Sequence, residues 1–298
     1  MREVERKIYF YRIEFFKNSS KVRPKPVFDY IDSLPYDVSG RHLQLPNGNE
    51  RCLYVDSRSV PIMAQIGTRR KGDLPVVERA GQRRPVQLST DEALLECTHF
   101  IIFPDDVMGM EYNQFAPRAG GLVGYLMEKA RLLVDDVRIT PLAKKDILED
   151  LKKAQQGEII VLKLRLACRA IPTLIELDSS LHKTFKTLEE TAPGAYDLEV
   201  VLRAPKYSDR GFKASFLSRM PSWLSRPGVL ESVGTARIKV IDPDGEREEI
   251  DLLRHYIMTT KKVVKQRDDL RSVDSRDMYS KIQDAYAELR PQIDSSIK

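Results

Sequence analysis

THFIIFPDDVMGMEYNQFAPR, residues 98–118, sets two strongly apolar runs on either side of Pro104, Asp105 and Asp106. The runs read as two buried strands, Cys97 to Pro104 and Met108 to Phe115. Side chains alternate along a strand, so His99, Ile101 and Phe103 share one face of the first, and Glu111, Asn113 and Phe115 one face of the second. If the strands pair, His99, Glu111 and Asn113 converge. A histidine beside a carboxylate does general acid/base work, or holds a metal if Asp105 or Asp106 joins it. The plainer reading makes Asp105-Asp106 a turn, pairs Glu111 with Arg118, and leaves His99 a hydrogen-bonded core histidine.

Upstream, Lys7 to Phe16 alternates and is rich in Ile, Tyr and Phe, which predicts a strand sandwiched between two apolar layers. Val27, Phe28, Ile31 and Leu34 recur at helical spacing after Pro24 and Pro26, and Pro35 ends that short helix. RHLQLPNGNERCLYVD folds back on itself at Asn47-Gly48, where a positive φ is cheap and a tight hairpin results. VPIMAQIGTRR predicts a further strand, and the Gly-, Pro- and Arg-rich stretch after it, up to Leu88, a long exposed loop or ribbon.

Downstream, Leu122, Leu126, Ala130 and Leu133 mark one face of a helix that starts near Gly120-Gly121. Its free N–H groups are an anion site in principle; close packing is the simpler purpose of the glycines. Val134 to Ile139 predicts a strand. Thr140 as N-cap and Pro141 at the first helical position predict a helix striped by Ile147, Leu151 and Ala154. The second half predicts a strand in GEIIVLKLRLAC, a helix over 178–190 with Leu181, Phe185 and Leu188 inward, a strand at 196–202, and a hairpin around Asp242-Pro-Asp-Gly245. Asp274 caps a terminal helix striped by Met278, Ile282, Ala285 and Leu289. Strands and helices alternate irregularly, so the expected class is α+β, with mixed or antiparallel sheets and flanking helices. The expected division is into two sub-domains, 1–170 and 171–298.

Charge concentrates in two places. TRRKGDLPVVERAGQRRP holds Arg69, Arg70, Lys71, Arg79, Arg83 and Arg84; a second cluster holds Lys261, Lys262, Lys265, Arg267 and Arg271. Guanidinium groups grip phosphates bidentately, so the first segment predicts phosphate binding, with the lysines of the second as further contacts. The competing reading is a solvated loop, or one that docks on an acidic protein. The net charge of +5 from 49 basic and 44 acidic residues permits a polyanionic partner without demanding one. Trp223 between Arg219 and Arg226 is a base-stacking candidate or, more simply, a core plug. The carboxylates from Asp242 to Asp251 lack the ligand series of an EF-hand and read as a turn plus a solvated strand face.

Several classes are excluded. HExxH and GxSxG are absent, as are the P-loop and the dinucleotide-binding glycine pattern. Cys52, Cys97 and Cys168 stand far apart without metal-ligand spacing and predict reduced thiols. The charged start MREVERKIYF does not read as a signal peptide, and no long apolar run predicts a membrane span. The expectation is a cytoplasmic chain without metal or cofactor and without membrane insertion, its homo-oligomerisation left open.

The order of YRIEFF, IGTRRKGDLP, THFIIF with EYN, PR and YL, and DPDGEREEIDLL resembles uncharacterised bacterial proteins encoded near phage-defence genes. That resemblance covers most of the chain and implies a role in antiviral defence, as a sensor, adaptor or nucleic-acid-binding partner. It brings no catalytic residues with it. The first expectation is therefore a DNA- or RNA-binding defence protein rather than an enzyme. The alternatives are an adaptor or regulatory subunit for a partner defence protein, and a metal-assisted hydrolase or nuclease using His99, Asp105, Asp106 and Glu111.

Overall fold

The computed structural model describes residues 2–72, 74, 76–89, 91–143, 158–195, 197–205, 215–224, 226, 229–241 and 247–297. The fold is α+β: the described residues form six helices and 15 mostly antiparallel strands in three sheets. The chain folds as two compact units, Met1–Ile139 with Met258–Glu288, and Thr140–Ile257 with Leu289–Lys298. A division at 170 follows chain order, whereas the C-terminal segment returns to the first unit, where β-pairing recruits it across more than 200 residues of sequence.

The first unit is built on β1 (Glu3–Lys17), which turns into β2 (Ser20–Val22). Helix α1 (Pro24–Ser33) begins with prolines in its first turn, where an amide N–H has no helical partner, and buries Val27, Phe28 and Ile31. β3 (Leu43–Gln44) and β4 (Glu50–Ser57) form the hairpin at Asn47-Gly48, with Gly48 at φ 77°. β5 (Ile62–Arg70) continues the sheet. A two-stranded ribbon, β6 (Val76–Arg79) and β7 (Gln82–Pro85), then turns at Ala80-Gly81, both at positive φ. β8 (Leu94–Ile102) and β9 (Val107–Glu111) pair with each other, and β9 pairs with β1 over Ile8–Arg12. Helix α2 (Ala119–Lys129) packs Gly121 closely against Pro117 and the Arg51 side chain, consistent with the packing role of that glycine.

β10 (Asp136–Pro141) runs through Thr140 and Pro141, so these residues close a strand and do not cap a helix. Proline suits this end because it donates nothing to a ladder. The expected stripe of Ile147, Leu151 and Ala154 lies outside the described residues.

The second unit centres on a four-stranded antiparallel sheet of β11 (Glu158–Ala167), β12 (Asp197–Arg203), β13 (Val233–Ile241) and β14 (Arg247–Asp251). β13 and β14 pair as the sequence suggests; their Asp-Pro-Asp-Gly turn lies outside the described residues. Leu162, Leu164 and Leu166 point inward, while Lys163 and Arg165 pair outside with Glu199 and Asp197. Helices α3 (Leu174–Leu177), α4 (Ser179–Thr191) and α5 (Met220–Leu224) add to the unit. Asp178 caps α4, which buries Leu181 and Phe185 but leaves Leu188 exposed in its last turn. Trp223 is a core residue, 3% exposed, donating its indole N–H to Thr173.

Back in the first unit, β15 (Met258–Val264) pairs with Glu3–Tyr9 of β1, and α6 (Ser275–Ile297) follows, its first-turn Asp277 N–H capped by Asp274. β1 is therefore covered on both faces. Tyr11, Ile13 and Phe15 join the core formed with α1 and α2, while Ile8 and Phe10 face the other way, where Phe10 meets Tyr286 of α6. Gly109 on β9 allows the close approach of α6, since a Cβ there would lie 2.6 Å from Ile282.

Candidate functional site

The sheet face beneath α6 carries a polar row that follows from register. Gln65 of β5 lies directly across from His99 of β8, and the β8–β9 register sets His99 beside Glu111. Three neighbouring strands thus place an amide, an imidazole and a carboxylate side by side on one face. His99 Nδ1 lies 2.7 Å from Glu111 Oε2, which also accepts the His99 backbone N–H at 3.2 Å. Arg6 Nε donates to Glu111 Oε1 at 2.8 Å. His99 and Glu111 are 4% and 3% exposed. Asn113 lies just beyond the end of β9 and donates to the Cys97 carbonyl at 2.9 Å. Glu111 pairs with Arg6 and not with Arg118, whose guanidinium covers the Tyr112 ring and donates to its hydroxyl.

The other imidazole nitrogen meets a residue that sequence reasoning missed. Ser275, the first residue of α6, places its Oγ 2.9 Å from His99 Nε2. One turn on, Tyr279 sets its ring edge-on to His99 and donates its hydroxyl to Asp56. Burial and that bond push the Tyr279 phenol up, so it stays a neutral donor. Gln65 Nε2 donates to Asp56 at 2.7 Å and lies 3.4 Å from Ser275 Oγ. The signal available in sequence was Asp274, a helix cap that marks Ser275 as the first residue of a helix.

Asp105 and Asp106 are not brought to this pair. Asp105 accepts from Tyr286, and Asp106, at φ 61° in the β8–β9 turn, holds Lys21 at 2.9 Å. Tyr286 lies 11 residues along α6 from Ser275, a rise of about 16 Å. Among the described residues no three His, Cys, Asp or Glu side chains cluster as metal ligands. Burial pushes the Cys97 thiol up to about 12, which keeps it protonated beside the row.

Ser275, His99 and Glu111 line a cleft of about 650 Å³ together with Leu94, Leu95 and Arg271. Arg271 is shared with two adjoining cavities: one holds Arg6, Lys7 and Lys265, the other Arg70, Leu74 and Glu96, and Phe115 lines both. The Arg271 guanidinium lies 4.4 Å from the Phe115 ring centroid, and Phe115 is 41% exposed. Cation and aromatic thus stand together in the lining of both adjoining cavities.

The predicted phosphate-binding residues divide sharply. Arg69 and Lys71 converge on Glu50, which is 1% exposed, at 3.0 and 2.9 Å, and Gln44 donates to the same carboxylate at 2.8 Å. Burial raises the Glu50 pKa, and the bonds from Lys71, Arg69 and Gln44 outweigh it, holding the carboxyl below the usual carboxylate range. Lys261 is held by Glu288, and Lys265 donates to the Asp268 carbonyl. Arg79, Arg83 and Arg84 are exposed on the ribbon. Arg70 lines the adjoining cavity at the ribbon's root, and Lys262 is exposed on β15 opposite Glu5.

Among the described residues no helix is long and apolar enough to cross a membrane. No protein-family model matches the chain, and no curated protein matches it.

Proposed function

We propose that the first unit binds a nucleic-acid strand by its phosphates, with the β6–β7 ribbon as the gripping arm and the Arg70-lined cavity at its root as a second contact. The observation that carries this reading is the ribbon: Arg79, Arg83 and Arg84 are exposed on a narrow antiparallel arm with Glu78 as the sole acidic residue on its strands. Register puts Arg79 and Arg84 on one face and Arg83, opposite Glu78, on the other, so the arm presents cations to both sides. At the root, Arg70, Arg271 and Glu96 line one cavity with Phe115; Arg271 pairs with Glu96 at 4.0 Å, Arg70 is the second cation there, and Phe115 is an aromatic platform for a base. Relative to the sequence expectation, Arg69 and Lys71 move from phosphate contact to holding Glu50. The resemblance to phage-defence-associated proteins suits such a binder in a bacterial cytoplasm.

The test is a salt-titrated binding assay with duplex DNA, single-stranded DNA and RNA, beside a variant carrying R79A, R83A and R84A. Three phosphate contacts predict a log–log salt slope near about −2 on a single strand and about −3 on a duplex, lost in the variant. Binding that persists unchanged in the variant removes the ribbon from the reading.

A second reading, an adaptor for an acidic partner protein, is favoured by apolar exposure in the same region: Val76 is 60% and Leu95 47% exposed. No shift of any nucleic acid, with a defined partner retained only while Arg83 and Arg84 are present, selects it.

A further inference from the structure

We propose that Ser275, His99 and Glu111 form a nucleophilic relay that hydrolyses carboxylic esters carrying an apolar acyl group. The proposal is independent of strand binding. The order of atoms is the one nucleophilic catalysis needs: hydroxyl, imidazole, carboxylate, linked at 2.9 and 2.7 Å. The buried Glu111 accepts from Nδ1, which fixes the tautomer and leaves the Nε2 lone pair directed at Ser275 Oγ. Arg6 and the His99 backbone N–H hold Glu111 in place in turn. Ser275 is half-buried and lines the cleft, so the last member of the relay faces space that a substrate can enter.

A packing role alone does not require this order. A serine that merely docks the start of α6 needs one hydrogen bond, and Asp274 already caps the helix. Here the bond continues through an imidazole to a carboxylate with fixed partners, and its open end lies in a cavity of about 650 Å³. Leu94, Leu95, Leu270 and Val273 give the cavity an apolar wall suited to an acyl chain. Gln65 Nε2 reaches Ser275 Oγ at 3.4 Å while also donating to Asp56, so a fixed amide also holds the nucleophile.

The chemistry balances without a co-reactant other than water. Ser275 Oγ attacks the ester carbonyl as His99 Nε2 takes its proton. The tetrahedral adduct collapses, the alkoxide leaves with that proton from Nε2, and acyl-Ser275 remains. Water then attacks the acyl carbon, giving its proton to Nε2, and collapse of the second adduct returns that proton to Ser275 Oγ and releases the acid. Ser275 and His99 are catalytic residues; Glu111 and Arg6 position the imidazole.

The experiment is labelling of the full chain with an alkyl fluorophosphonate, read by intact mass and peptide mapping, beside hydrolysis of 4-nitrophenyl butyrate across pH. The expected result is one label, on Ser275, absent in S275A, with H99Q slowing labelling by about 10² to 10⁴-fold. E111Q should lower kcat for hydrolysis with KM unchanged at every pH, a split that a purely structural glutamate leaves alone. Thermal melting of S275A, a small substitution at a half-buried position, separates loss of reactivity from loss of fold. An unlabelled wild type, or label on another serine with Ser275 unmodified, overturns the proposal, and neither outcome touches the salt-dependent binding test above.

Discussion

Two buried glutamates in the first unit face opposite fates. Glu50, at the start of β4, is enclosed by fixed donors: the cations Arg69 and Lys71 and the neutral Gln44 amide occupy its oxygens. His42 adds an imidazole nitrogen 3.5 Å away, and its other ring nitrogen meets no hydrogen-bond partner among the described residues. Glu111, at the end of β9, spends one oxygen on Arg6 and the other on His99, and the imidazole hands the interaction on to Ser275 in a cleft. The first is a closed neutralisation and the second an open chain. A buried carboxylate surrounded by full charges is committed to stability, whereas one facing a titratable ring that touches a hydroxyl can also move a proton.

Removing the closed site should have the largest effect on folding. E50Q keeps the shape but strips Arg69 and Lys71 of their counter-charge, and should cost about 3 kcal/mol in chemical denaturation while leaving Ser275 labelling unchanged. The same site predicts an acid limb. Burial first, and then the Arg69 charge, depress the His42 pKa, and Glu50 is depressed by its hydrogen bonds; each group binds protons more readily unfolded than folded. Their contribution is complete above the unfolded values of 6.5 and 4.5 and is lost as pH falls through the depressed folded values. Melting temperature should therefore decline on acidification below about pH 6.5 and further below about pH 4.5. In E50Q the lower step should flatten; a lower step of wild-type size would remove Glu50 from the argument.

The open chain should respond in the reverse proportion. E111Q should cost about 2 kcal/mol, because one charge-assisted bond to Arg6 weakens, yet lower Ser275 labelling by about 10²-fold or more. If both readouts fall together only as far as in E50Q, the two glutamates are alike and the contrast fails. G109A probes the same chain from a distance. A methyl group would strike Ile282 and Phe10, costing about 1–3 kcal/mol, and by lifting α6 it should lengthen the Ser275–His99 bond and slow labelling.

Much of this architecture was legible because alternation is local. Period two in 98–104 put His99, Ile101 and Phe103 on one face, and the structure keeps them there under α6. The meeting of His99 and Glu111 required register, which a one-residue slip would have inverted, so sequence supplied the condition and pairing supplied the answer. Ser275 was invisible for a different reason: serine is common, and its partner lies 176 positions away. The cations were misleading in part because clustering is visible in sequence and counter-charge is not. Arg69 and Glu50 are partners only through the pairing of β4 with β5.

A third glutamate sets the lower bound of the comparison. Glu78 is exposed on the ribbon, directly across from Arg83, and its carboxylate accepts the Gly81 N–H in the turn. Water already solvates both charges there, so their mutual attraction stabilises little. E78Q keeps an acceptor oxygen for the turn while removing the negative charge nearest Arg83. Melting temperature should stay at the wild-type value, and affinity for single-stranded nucleic acid at low salt should rise a few-fold, because one repulsion between arm and phosphate disappears. The same charge change should thus act mainly on folding at Glu50, mainly on reactivity at Glu111 and on neither at Glu78, and only the surroundings of the carboxylate differ. A substantial drop in melting temperature in E78Q would show that the arm's turn depends on charge rather than on its hydrogen bond, and would remove the ribbon as the neutral reference.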